Sequence, residues 1–136
     1  MGALMFVDTS VFVAILAREN DADAFAAKLA ASSETCTSGL VILEAAMRLS
    51  SLLRVDPVDV EVSLRRVLEE AKISIVPIDG EIARRAVAAF SAFDKGRGHK
   101  AQLNLADCMS YACAKVRGMP LLFKGDDFSK TDILIA

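Results

Sequence analysis

The chain has 136 residues, 54% of them hydrophobic and 25% charged, with a formal net charge of −2. That length and apolar content suit one domain, residues 1–136, with a real core; they exclude a disordered chain, and the charge balance supplies no global pull toward polyanions. No apolar run nears the roughly 20 residues a membrane span needs, and Met1 to Phe6 lacks a basic start and a small-residue cleavage site, so a soluble cytoplasmic protein is expected.

Short apolar runs alternate with amphipathic stretches, the pattern of an α/β domain with a central, mainly parallel β-sheet flanked by helices. A strand is predicted over residues 4–7, then a helix capped by Thr9 or Ser10 and running to about Arg18. A second, alanine-rich helix spans about Asp21 to Ser32. Residues 35–37 form a short strand, and Ser38 caps a helix from Gly39 to about Arg54. Asp56-Pro57 opens the next helix, with proline at the first helical position, and it ends near Lys72. The β-branched run Ile73 to Val76 is a strand, and Asp79 caps a long helix to about Phe93. A glycine-punctuated basic loop, Lys95 to Lys100, follows. Asn104 caps a helix through Val116, stopped by Gly118-Met119-Pro120. A strand over 121–124, a loop over 125–131 and a final strand over 132–135 complete the chain.

Cys36, Cys108 and Cys113 are odd in number, lack CxxC spacing and lie among apolar neighbours, so they read as buried inert thiols. The single histidine, His99, and the absence of Cys/His spacing exclude a zinc site.

Carboxylates mark the ends of these elements. Asp8 closes the first strand, where open α/β sheets bind their ligands, although a helix cap is an equally local use for it. Glu44 lies in Leu40 to Met47, a helix that reads as apolar on all sides and hence buried. An i, i+4 pair with Arg48 would compensate it by only a few tenths of a kcal/mol. Asp107 falls three residues after Asn104, the N3 place of a box-like cap, and a carboxylate kept ionised there also suits a metal. Asp126 and Asp127 follow the last strong strand, and Gly125 would let the backbone turn sharply before them. Acids from separate segments meeting at one sheet edge repel one another unless a cation joins them. In an oxygen-only, histidine-poor set that cation is Mg²⁺ or Mn²⁺.

The segments Phe6 to Ser10, Leu43-Glu44-Ala45, His99 through Asn104-Leu105-Ala106-Asp107-Cys108, Tyr111-Ala112, and Leu121 to Phe128 through Thr131-Asp132-Ile133 resemble, in order and spacing, a PIN-domain ribonuclease. They are similar in particular to the VapC toxins of prokaryotic toxin–antitoxin pairs. The resemblance implies a PIN-like fold and an endoribonuclease that needs Mg²⁺ or Mn²⁺ to hydrolyse RNA phosphodiesters. Its family acids fall on Asp8, Glu44, Asp107 and Asp126, with Asp127 the adjacent candidate for the fourth place. Ser10 resembles the family's small hydroxyl residue beside the first acid, which orients a ligand or a water. Lys95, Arg97 and Lys100 could grip RNA phosphates beside the site. The implied partners are RNA and a VapB-type antitoxin whose C-terminal segment wraps the toxin. A homodimer is also implied, for which Leu49, Leu52 and Leu53 could serve if core packing does not claim them.

Two rival functions remain on the residues alone. A phosphoryl-transfer or receiver-like domain also places acids at strand ends around Mg²⁺, but Ser10 stands where a dehalogenase-type site wants a second Asp, and Glu44 inside a helix does not suit a receiver. A non-catalytic PIN-like binding module would keep the shape and lose acids, and the principal acids are all present.

Overall fold

The structure, a computed structural model, describes residues 4–93 and 102–136. Four parallel strands form one sheet in the order β3-β2-β1-β4. They are β1 (Leu4–Val7), β2 (Glu34–Ser38), β3 (Ile73–Val76) and β4 (Leu121–Leu122). The helices are α1 (Thr9–Leu16), α2 (Ala22–Ala31), α3 (Gly39–Leu53), α4 (Pro57–Glu70), α5 (Gly80–Phe93) and α6 (Leu105–Arg117). The expected α/β architecture is therefore present, and each strand after β1 is reached through a pair of helices, as parallel pairing requires.

Register places Met5 beside Thr35, Cys36 beside Ser74 and Val7 beside Leu122. Met5, Phe6 and Val7 are all buried, as expected of an interior strand covered on both faces. Strand β2 is instead rich in hydroxyls, and its burial is satisfied locally. Thr37 Oγ1 donates to the Val7 carbonyl at 2.8 Å, tying β2 to β1, and Ser38 Oγ caps α3 by accepting from Val41 N at 3.3 Å.

The chain builds outward from β1 to β2 and β3, then crosses to the other side of β1 for β4. That reversal makes a crevice beyond the carboxyl ends of β1 and β4, the place where open parallel sheets bind ligands. Helix α6 leads back into β4, so its N-terminus lies at the same edge.

Several expected boundaries shift. Helix α1 stops at Leu16 because Arg18 takes a left-handed φ of 54°, and its cap is Asp8, not Thr9 or Ser10. The strand expected over 121–124 ends at Leu122, since the Lys124 amide bonds to Ser10 Oγ and not to a neighbouring strand. The final strand over 132–135 reduces to a parallel bridge between Leu121 and Ile135. Helix α3 is not buried on all sides: Leu43 and Met47 are 57% and 61% exposed. Of the leucines offered for dimerisation, Leu49 is consumed by the core, whereas Leu52 and Leu53 stay exposed. All three cysteines are buried, and none forms a disulfide. Among the described residues no helix is long and apolar enough to cross a membrane.

Candidate active site

Asp8 is placed by β1 and buried, with its amide donating to the Leu122 carbonyl at 3.0 Å. Its Oδ2 accepts from Ser10 N at 3.2 Å and from Ser10 Oγ at 2.8 Å. The cap and site readings of Asp8 are thus compatible, because both donors fall on one oxygen. Ser10 Oγ in turn accepts from Lys124 N at 2.9 Å, which joins the exits of β1 and β4 through a single hydroxyl. Lys124 extends the junction with its side chain, whose Nζ pairs with Glu19 at 2.9 Å and Asp21 at 3.1 Å. Nothing local in the sequence signals this junction, since its members are over a hundred residues apart. Thr9 Oγ1, next in the chain, is buried and has no hydrogen-bond partner among the described residues.

Asp107 sits in the first turn of α6, also buried. The capping box is present in both directions: Asn104 Oδ1 accepts from Asp107 N at 2.9 Å, and Asp107 Oδ2 accepts from Asn104 N at 3.1 Å. Its carboxyl is nevertheless pushed up to about 7. Burial is the largest cause. The Asn104 amide opposes it, and the negative charges of Asp8, Asp127 and Glu44 add to it. Four acids from four chain segments therefore bear on one point at the carboxyl edge of the sheet.

Glu44 is half-buried on α3, and no ion pair joins it to Arg48, which is exposed. The i, i+4 explanation for Glu44 is thereby removed. Asp126 and Asp127 are both exposed beyond Gly125, whose φ of 105° supplies the sharp turn expected there. Asp126 uses its carbonyl in a turn, accepting from Ser129 N at 3.2 Å and Ser129 Oγ at 2.7 Å. Of these two acids it is Asp127 whose charge reaches Asp107. Lys95, Arg97, His99 and Lys100 lie outside the described residues.

Among the described residues no three His, Cys, Asp or Glu side chains close into a preformed metal cage, so the cluster is an electrostatic one. Its donor set fits a hard divalent cation all the same. Every donor is a carboxylate or hydroxyl oxygen, and the repulsion that raises Asp107 is the charge such a cation neutralises.

The PIN-domain family description matches residues 5–134, and the chain belongs to that family. Its relatives are narrower in kind. Ribonuclease VapC28 of Mycobacterium tuberculosis and VapC ribonuclease Mb0625 of Mycobacterium bovis are each 43% identical to it, over 95% of this chain and 95% of theirs. Among solved structures, Mycobacterium tuberculosis VapC20, described as a sarcin–ricin loop cleaving toxin, superposes with a TM-score of 0.76 at 16% identity, covering 97% of this chain and 98% of that one. A toxin–antitoxin complex from Klebsiella pneumoniae gives a TM-score of 0.71 at 19% identity, covering 98% and 97%. These two likenesses carry the fold.

Proposed function

We propose that this chain is a VapC-type endoribonuclease, the toxin of a toxin–antitoxin pair, that hydrolyses RNA phosphodiesters with a divalent cation, Mg²⁺ or Mn²⁺. The observation that carries the reading is the convergence of Asp8, Glu44 and Asp127 on the buried Asp107 at the sheet's switch point. The relatives named as ribonucleases, similar over nearly their whole length, support the same activity.

Asp8, Glu44 and Asp107 would hold the cation, with Asp127 or Asp126 in the fourth place. When bound, the cation supplies Lewis-acid stabilisation of phosphoryl oxygens and lowers the pKa of water. The chain's own residues do the rest. Ser10 keeps Asp8 in one rotamer through its 2.8 Å bond, and the Asn104 cap fixes Asp107 Oδ2, so two acids from different elements meet the cation already oriented. Glu44 would reach the cluster from the second turn of α3. The basic run with Lys95, Arg97 and Lys100 leads toward α6 and supplies phosphate contacts for RNA.

The partners are RNA, a VapB-type antitoxin and a second copy of the chain. A groove of about 670 Å³ lined by Val13, Met47, Arg48 and Leu52 lies on the acid-bearing helix α3 and suits an antitoxin segment. The protein works in the cytoplasm, where three cysteines outside any disulfide stay reduced.

The test is incubation of purified protein with total RNA and Mg²⁺ or Mn²⁺, with an EDTA control. Cuts at few sites are expected, dependent on metal and abolished by Asp8→Asn or Asp107→Asn. Cleavage that persists in both variants rejects the site.

A further inference from the structure

We infer that Tyr111, Lys115 and Asp132 form a latch that holds the loop carrying Asp127 along helix α6, and so positions Asp127 toward Asp107 for cation binding. The inference rests on the cation-binding reading of the acid cluster.

Asp107, Tyr111 and Lys115 are spaced four apart, which sets them in one stripe down α6. The segment after β4 follows that stripe. Asp127 bears on Asp107 at its N-terminal end. Five residues on, Asp132 meets the other two: Tyr111 Oη donates to Asp132 Oδ1, and Lys115 Nζ pairs with Asp132 Oδ2 at 3.0 Å. Each carboxylate oxygen thus takes one donor. The lysine pair is half in solvent and adds little by itself. The phenol is the stronger member, because Tyr111 is buried and its hydroxyl makes a charge-assisted bond. Tyr111 is itself fixed by the edge of Phe93, with ring centroids 5.5 Å apart, and by Lys115, whose Nζ lies 5.8 Å over the Tyr111 ring.

Between Asp127 and Asp132 the loop is wound on itself. The Phe128 carbonyl accepts from Thr131 N at 3.0 Å and from Thr131 Oγ1 at 2.7 Å. The Phe128 ring is buried against Phe123 at 5.0 Å. Phe128 pins one end of this turn and Asp132 the other. Among the described residues no side chain bonds to Asp127, so its place depends on those two pins. Phe128 fixes where the turn enters the core, while the latch fixes how the turn lies along α6.

Tyr111→Phe keeps the ring and removes only the bond to Asp132. Isothermal titration with Mn²⁺ should find about tenfold weaker binding, the scale on which groups orienting metal ligands act. Asp132→Ala, at an exposed position, should do the same and serves if Tyr111→Phe fails to fold. A purely structural tie would lower the melting temperature and leave Mn²⁺ affinity as in wild type, which overturns the latch. Asp107→Asn in the same titration separates the two levels. If it binds Mn²⁺ like wild type, the acid cluster and the latch fall together; if it loses binding while Tyr111→Phe and Asp132→Ala retain it, the latch alone falls. The chain has one tyrosine and no tryptophan, so tyrosine emission reports on Tyr111 without interference. A carboxylate acceptor quenches a phenol, and Asp132→Ala should brighten it; unchanged emission also overturns the latch.

Discussion

Ser10 Oγ donates to Asp8 Oδ2 at 2.8 Å and, through a lone pair, accepts from the Lys124 amide at 2.9 Å. One hydroxyl thereby sets the orientation of the first acid and the spacing of the two strand exits. Both donors to Asp8 act on Oδ2, so Oδ1 is the oxygen the described residues leave for a cation. Ser10→Ala should cost about 1 kcal/mol of stability, the usual net worth of such a bond. It should reduce Mn²⁺ affinity by more than that loss implies, because Asp8 then samples other rotamers. Ser10→Thr keeps the hydroxyl and should restore both quantities. Melting curves beside Mn²⁺ titrations check this, and equal affinity in Ser10→Ala and wild type contradicts it.

Asp107→Asn tests the repulsion directly. Asparagine retains an oxygen for the Asn104 amide, so the capping box survives while a buried negative charge disappears. The cation-free variant should melt higher than cation-free wild type. RNA cleavage should fall at least about 100-fold, as when a positioned charge is removed from a reacting centre. A lower melting temperature in EDTA would mean that Asp107 is stabilising as an ion and would contradict the crowding of acids.

The pH dependence follows from the same group. The Asp107 carboxyl sits at about 7 in the fold against 3.8 for an ordinary aspartate. The folded chain thus holds this proton more tightly than the unfolded chain does. The stability this supplies is complete below the lower value and is lost as pH rises through the higher one. Asp132, held below the ordinary range first by the Tyr111 hydroxyl, acts in the opposite sense, but only in acid, where it too begins to take up a proton. In EDTA, the melting-temperature difference between Asp107→Asn and wild type should therefore widen from pH 5 to pH 8. Added Mn²⁺ should raise the wild-type melting temperature more at pH 8 than at pH 6. A difference that stays flat with pH removes Asp107 as its source.

What the sequence displays of this fold and site is what local pattern can encode. The apolar run ending in Asp8 and the Asn104–Asp107 box are written in a few adjacent residues, and both stand in the structure where their spacing puts them. Ser38, Asp56 and Asp79 cap their helices for the same reason. The cap of α1 by Asp8 and its early end before the left-handed Arg18 are local differences; the others are tertiary. Leu40 to Met47 looks buried all round in one dimension, yet its outer face is left uncovered at Leu43 and Met47. Strand β4 ends early because a serine from α1 takes the amide of Lys124. The Tyr111–Asp132 contact joins residues 21 apart with no spacing rule to announce it. Acids at element ends are legible because that placement is itself a local fact; the long-range bonds, Lys124 to Ser10 and Tyr111 to Asp132, are not.

Glu44 now lacks the ion pair that would make it a structural residue. It is half-buried on α3, and its charge adds to the load on Asp107. Glu44→Gln should leave the melting temperature in EDTA within about 0.5 kcal/mol equivalent of wild type or slightly above it, as surface-adjacent changes without broken partners do. Its effect should appear in Mn²⁺ affinity, lowered several-fold, and in cleavage. Arg48→Ala is the companion measurement and should change neither. A marked loss of stability in Glu44→Gln together with an unaltered titration would return Glu44 to a structural role.

The fourth acid is decided by comparing two neighbours. Asp126 and Asp127 are both exposed, follow the same glycine turn and carry the same charge, so solvation alone cannot separate them. Their backbones differ in use. Asp126 anchors a turn through its carbonyl, a bond that Asp126→Asn leaves intact. The charge of Asp127 adds to the load on Asp107. Asp127→Asn should therefore relieve Asp107, shifting the pH dependence of its proton uptake downward, and should weaken Mn²⁺ binding more than Asp126→Asn does. The carboxyl resonance of Asp107, followed by NMR through a pH titration of each variant in EDTA, measures the first effect; calorimetry measures the second. If Asp126→Asn produces the larger change in both, the fourth place belongs to Asp126 and the loop lies differently along α6.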